Sequence, residues 1–231
     1  MDDLEPITIQ DGEREIENYI QTLFDFLDHQ KQTPGKSKQH MQTYTCIVRL
    51  SDEQDESHKL YDIYTNMIEI YIKKRLQAAL QTKSNSHEFL EEYVKQWKKF
   101  TIFVMAMKKM FDYLDRYFLK NAGSSSLTET ALNLFRKMIF QDRKIQLRRC
   151  VLEEIKKDRE NQIIDKDLLK AAILQYIYMG FGKKTVIKKI EGSTDPIHWT
   201  GEKNLMLYDN EFQTHLLENT TEYYRNQAKN W

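Results

Sequence analysis

Two cysteines, six histidines and several adjacent carboxylates are the side chains here with the capacity for nucleophilic, metal-binding or acid–base chemistry. Cys150 follows Arg148-Arg149, and nearby cations lower a thiol pKa and raise its thiolate content. A helix cysteine among ordinary surface arginines explains the same run without any chemistry. The histidines stand at 29, 40, 58, 87, 198 and 215, never three or four residues apart, the spacing that sets two ligands on one helix face. Pairs such as Glu153-Glu154 are what any solvated helix face contains. There is no G-x-x-x-x-G-K-[ST] loop, G-x-G-x-x-G turn, C-x-x-C pair or H-E-x-x-H helix. The sequence therefore offers no catalytic, metal or cofactor-binding residue, and an enzyme is not expected.

Recognition chemistry is a different matter. Across T-I-F-V-M-A-M-K-K-M-F-D-Y-L-D-R-Y-F-L-K at 101–120, a helical wheel gathers Val104, Met107, Phe111, Leu114 and Phe118 within about 80°. That stripe docks the helix. Tyr113 falls about 160° from Phe111, and Tyr117 sits one turn further along the same outer face. Lys109, Arg116 and Lys120 flank them. Aromatic and arginine side chains dominate many interfaces, so this pair is a candidate protein-binding patch. Packing under a neighbouring helix is the alternative. A second line, His40, Tyr44 and Val48 with Ile47 beside it, drifts slowly around its helix and faces either core or partner.

The elements that must carry these residues read as helices throughout. Residues 1–12 form a loose acidic tail. Ile16, Ile20, Leu23, Phe24 and Leu27 mark a first helix that stops before Thr33-Pro34-Gly35. A second runs from about Ser37 to Leu50, followed by a polar loop at 51–57. A third reaches about Leu80, and after Ser84-Asn85-Ser86 a long one continues to Lys120, with room for a bend near Phe100. Gly123-Ser124-Ser125-Ser126 is the clearest break in the first two thirds. Helices at about 127–140, 142–159 and 165–180 come next, then Gly180 and Gly182 as a stop. Residues 183–207 read as an irregular insertion, and a last helix starts near Asp209, its pattern still running at Trp231.

Composition agrees with an all-α chain: only seven Gly and three Pro, with 40% hydrophobic residues. Lys+Arg and Asp+Glu both number 35, so no whole-chain charge argues for nucleic acid or an anionic membrane. The basic pairs Arg136-Lys137, Arg143-Lys144, Arg148-Arg149 and Lys156-Lys157 are balanced by Glu153, Glu154 and Asp158 and read as a solvated face. Two widely separated cysteines suit a reducing compartment. With no signal peptide and no apolar span of about 20 residues, cytoplasm and nucleus are the expected location.

Four segments together resemble the N-terminal region of cullins. Gln96-Trp97 through Y-L-D-R-Y-F-L at 113–119 is similar to the aromatic-rich helix of the first cullin repeat, with its Y-[LM]-[DN]-R motif. V-L-E-E-I-K-K-D-R-E-N-Q-I-I-D at 151–165, L-L-K-A-A-I-L-Q-Y-I-Y-M-G at 168–180 and Y-D-N-E-F-Q-T-H-L-L-E-N-T-T-E-Y-Y at 208–224 follow in the family's order.

The resemblance covers about 13–231 and implies tandem cullin repeats, antiparallel helix bundles stacked into an elongated arm. The first repeat would occupy 13–121 and a second, incomplete one 122–231. It further implies a non-catalytic scaffold of a ubiquitin ligase. Its second helix would meet an adaptor through His40, Met41, Tyr44, Thr45 and Val48. Its fifth would do so through Asp112, Tyr113, Arg116, Tyr117 and Lys120. The Gln96-Trp97 and E-N-Q-I-I-D neighbourhoods look most like the Skp–cullin–F-box type, whose Skp adaptor carries F-box receptors; a BTB-domain adaptor is the other option. The RING subunit would be held by a C-terminal domain absent from this chain. A naturally short cullin-like inhibitor that sequesters adaptors fits the same segments. The chain departs from the family at His40, where many relatives carry an aromatic ring, and at the long 183–207 stretch.

Overall fold

The computed structural model describes residues 7–29, 38–81, 83, 85–189, 197–202 and 204–229. Most of the expected tail, the Thr33-Pro34-Gly35 stop, Ser84, residues 190–196 with Gly192 and Pro196, and Trp231 lie outside these residues. The described chain is helical apart from one short hairpin.

The first helix, α1 (Ile9–His29), begins earlier than its apolar pattern suggested. Thr8 Oγ1 accepts a hydrogen bond from the Asp11 backbone N–H at 3.2 Å. A polar cap starts a helix even where the residues inside it are polar. Residues 9–12 therefore belong to α1 rather than to a tail, and Gly12 is buried where α1 meets Leu50 of α2 (Lys38–Asp52). The helix α3 (Ser57–Tyr71) passes through a π-helical segment, Ile72–Gln77, into α4 (Ala78–Gln81). The helix α5 (Ser86–Met110) runs without interruption across Phe100. The interruption comes instead at Phe111, after which Leu114–Leu119 winds as a π-helix.

Gly123, at φ 62°, ends that run. The Ser124 N–H donates to the Leu119 carbonyl at 3.1 Å and the Gly123 N–H to Lys120 at 3.4 Å, a Schellman stop that a side chain with a Cβ would strain. Ser126 then opens α6 (Leu127–Phe135) with a reciprocal capping box. Its N–H donates to Glu129 Oε2 at 3.0 Å, and its hydroxyl accepts from the Glu129 N–H at 3.2 Å. Beyond α6 the expected break near 141 is absent, because a π-helical turn, Arg136–Phe140, carries the chain straight into α7 (Gln141–Arg159). Asn161, at φ 58°, stops α7, and the Asp165 carboxylate caps α8 (Lys166–Tyr178) by accepting from the Asp167 and Leu168 N–H groups.

The irregular insertion is partly regular. Val186–Lys189 (β1) and Ile197–Thr200 (β2) pair antiparallel, with Val186 opposite Thr200 and Ile187 opposite Trp199. β-Branched Val, Ile and Thr favour this pairing. The chain closes with α9 (Met206–Tyr208), a π-helical Asp209–Gln213 and α10 (Thr214–Ala228).

Two compact units divide the chain, residues 1–70 with 99–131 and residues 71–98 with 132–231. The dividing points fall inside the helical runs of α3, α5 and α6, so neither unit is one continuous stretch of sequence. In the first unit, Ile16, Tyr19, Ile20 and Leu23 of α1 are buried with Ile47 and Leu50 of α2, Tyr64 and Ile68 of α3, and Phe103, Val104 and Met107 of α5. Phe24 stacks on Phe103 at 5.8 Å, and the Tyr64 hydroxyl donates to the Leu127 carbonyl at 2.8 Å, so its phenol is buried without an unmet donor. In the second, Trp97 packs against Phe135 at 4.8 Å, Trp199 at 5.2 Å and Tyr178 at 5.9 Å. Burying each such large apolar side chain contributes roughly 1.5–3 kcal/mol.

Candidate protein-docking site

All ten residues expected at an adaptor surface lie in the first unit, on α2 and on the segment that follows α5. The inner face of α2 is fixed by Thr43, Cys46, Ile47 and Leu50, all buried. Its other face is left to His40, Met41, Tyr44, Thr45 and Val48. Met41 is 64% exposed and Thr45 is exposed, while His40, Tyr44 and Val48 are half-buried. The open question about the His40–Tyr44–Val48 line resolves toward the surface, since none of the three enters the core.

His40 is oriented by α1. Its Nδ1 lies 3.2 Å from the Tyr19 hydroxyl, with the ring centroids 5.5 Å apart. Burial, and then the Lys109 cation, push its pKa down from the ordinary histidine value.

On the facing segment, Phe111 and Leu114 are fully buried and anchor the backbone. The π-helical turn then shifts the inward stripe by one position. Leu119 is buried, while Phe118, the expected last core residue, is half-buried and meets His58 edge-on at 4.6 Å. Tyr113 and Tyr117 face away from that core. Tyr117 is 57% exposed and Tyr113 half-buried, their ring centroids 4.6 Å apart. Neither tyrosine enters the core. Asp112 and Arg116 pair at 2.6 Å one turn apart, and Lys120 is exposed beyond them.

One bond ties the two halves together. The Tyr113 hydroxyl donates to Asp52 Oδ1, on the last residue of α2, at 3.0 Å. That bond, with the carboxylate charge beside it, raises the Tyr113 pKa, and the Tyr44 and Tyr117 phenols push in the same direction. That bond joins the end of α2 to the 112–120 segment, and the outer faces of the two carry aromatic rings, an exposed methionine and charged side chains. Sequence reasoning missed Asp52 and Tyr19. Asp52 falls in the stretch whose polarity reads as a connecting loop, and nothing local marks an acid that accepts from a tyrosine sixty-one residues away.

Cys150 is buried, and burial raises its thiol pKa despite Arg149 nearby. Among the described residues, no three His, Cys, Asp or Glu side chains gather as a metal site, and no helix is long and apolar enough to cross a membrane.

Comparison with known families matches residues 14–231 to the Cullin alpha solenoid domain. The chain belongs to the cullin family. Its relatives include Cullin-2 of Arabidopsis thaliana, 28% identical over 86% of this chain and 24% of that protein. Cullin-1 of Oryza sativa subsp. japonica is 28% identical over 75% of this chain and 24% of its own length. Cullin-like protein 3 of Arabidopsis thaliana is 27% identical over 83% of this chain and 65% of its own length. The chain thus spans about a quarter of the first two relatives. The matched cullin region is a non-catalytic scaffold of helical repeats, and the four motif segments at 96–119, 151–165, 168–180 and 208–224 all fall inside it. So do the paired strands Val186–Lys189 and Ile197–Thr200.

Proposed function

We propose that this cullin is a scaffold subunit of a Skp–cullin–F-box ubiquitin ligase, whose α2 and 112–120 segment grip a Skp-type adaptor carrying an F-box receptor. The observation that carries the reading is the joined pair of outward faces, with Tyr117 and Met41 exposed while Asp52 bonds Tyr113 across the gap. His40, Met41, Tyr44, Thr45 and Val48 are the contacts on one side, and Asp112, Tyr113, Arg116, Tyr117 and Lys120 those on the other. The first repeat is 13–121 and carries the ridge; the second begins at 122, a joint supported by the Gly123 stop and the Ser126 cap.

The mechanism is spatial. A stiff helical scaffold holds receptor and substrate near a ubiquitin-charged enzyme and raises their effective concentration. The RING subunit would bind a C-terminal domain of a full-length cullin, and the complex would work in cytoplasm and nucleus.

Pull-down by the pure chain tests the reading, with a Skp-type adaptor–F-box complex and a BTB-domain adaptor offered in parallel. Capture of the Skp complex is expected. Capture of the BTB adaptor alone moves the chain to the other cullin type, and capture of neither contradicts adaptor docking. An alternative reading of the same surface is a short cullin-like protein that sequesters adaptors. That protein would lower ubiquitin transfer when added to a reconstituted ligase, in competition with the full-length scaffold.

A further inference from the structure

We infer that Asp52 is a positioning residue for the docking ridge: its carboxylate holds the Tyr113 ring, and through it the Tyr117 ring, in the orientation a partner meets. The inference rests on the adaptor-docking reading above and adds to it a residue outside the two contact faces.

Three observations carry it. The Tyr113 hydroxyl has a charged acceptor, Asp52 Oδ1 at 3.0 Å, and hydrogen bonds to ionised groups are the stronger class. The acceptor sits on a held backbone rather than a loose loop. Leu50 and Ser51 beside it are buried, the Ser51 and Ser57 hydroxyls are 2.6 Å apart, and the Leu50 carbonyl accepts from the Glu56 N–H at 3.0 Å as the chain reverses at Asp55, φ 54°. The neighbouring Glu53 pairs with Arg49 at 3.4 Å, while the Tyr113 hydroxyl bonds Asp52. Finally, the Tyr117 ring lies 4.6 Å from that of Tyr113, so fixing one restricts the other. An aromatic side chain already held in its bound orientation loses less freedom on docking, and preorganisation of this kind raises affinity without a new contact.

Calorimetry with a Skp-type adaptor–F-box complex tests this on the wild-type chain, Asp52→Ala, Asp52→Asn, Tyr113→Phe and the Asp52→Ala/Tyr113→Phe double variant. Asp52→Ala is expected to weaken binding about three- to tenfold, the range for one lost hydrogen bond. Asp52→Asn keeps an oxygen acceptor and should recover most of the loss. Tyr113→Phe should match Asp52→Ala, and the double variant should be no worse than either. In parallel, the ring-carbon NMR signal of Tyr113, assigned by its absence in Tyr113→Phe, should titrate at lower pH in Asp52→Ala. Wild-type affinity in Asp52→Ala, or additive losses in the double variant, overturns the inference. A wild-type chain that binds no adaptor sinks the docking reading instead, and the titration then decides positioning alone: an unmoved Tyr113 midpoint overturns it.

Discussion

Tyr113 and Tyr117 stand one turn apart with ring centroids at 4.6 Å and 39° between their planes. They do so because Phe111 and Leu114, fully buried, hold the opposite face of the same segment in the core. The outward direction of the rings is a consequence of where the apolar residues must go. The π-helical turn at Leu114–Leu119 adds a local change of register that brings Leu119 inward and leaves Tyr117 out. Single π turns recur at functional sites for this reason, since they re-aim side chains without ending the helix.

The core of the second unit should respond sharply to loss of Trp97. Only 6% exposed, it meets Phe135, Tyr178 and Trp199, three rings that no single neighbour could replace. Trp97→Ala is expected to cost about 3–5 kcal/mol in urea unfolding. Ile163→Ala, at a side chain fully open to solvent, should stay within about 0.5 kcal/mol of wild type.

Two glycines after α8 separate close approach from open space. A Cβ at Gly180 would collide with the Asn204 backbone carbonyl, whereas one at Gly182 would meet nothing within 4 Å. Gly180→Ala should therefore destabilise by about 1–3 kcal/mol, as overpacking does. Gly182→Ala should move the unfolding midpoint little.

Alkaline pH should loosen the fold, and the sign follows from the buried acids. Burial pushes the Cys46 thiol up from 9.0 to about 11 and raises Cys150, Tyr64 and Tyr176 in the same direction. Between about pH 9 and 11 the folded chain then holds protons that the unfolded chain has released, so stability falls as pH rises. The contribution of Cys46 is complete below about 9 and gone above about 11. Thermal unfolding at stepped pH checks this. A thiol reagent at pH 7.5 should label neither cysteine in the folded chain and both in denaturant.

Much of the fold was legible because apolar periodicity reports the buried face directly. The spacing of Ile16, Ile20 and Leu23, and the stripe from Val104 to Leu114, correspond to side chains that are buried. The outward placement of Tyr113 and Tyr117 came from the same geometry. What escaped were features that periodicity does not encode. A π-helical turn at Arg136–Phe140 keeps hydrogen bonding through a stretch where the stripe changes phase, so two expected helices are one run. The hairpin of Val186–Lys189 with Ile197–Thr200 depends on pairing between segments too short and too lysine-rich to stand out. Asp52 was hidden because its role comes from a residue on another helix.

The central claim is that the outer faces of α2 and of the 112–120 segment grip one partner, and binding to a Skp-type adaptor–F-box complex by calorimetry tests it most directly. Tyr113→Ala and Tyr117→Ala should each weaken binding by about 1–3 kcal/mol with unchanged helical circular dichroism. Val48→Asp should also weaken it by setting an unpaired charge in the contact. Full affinity in all three variants would contradict the assignment of that surface.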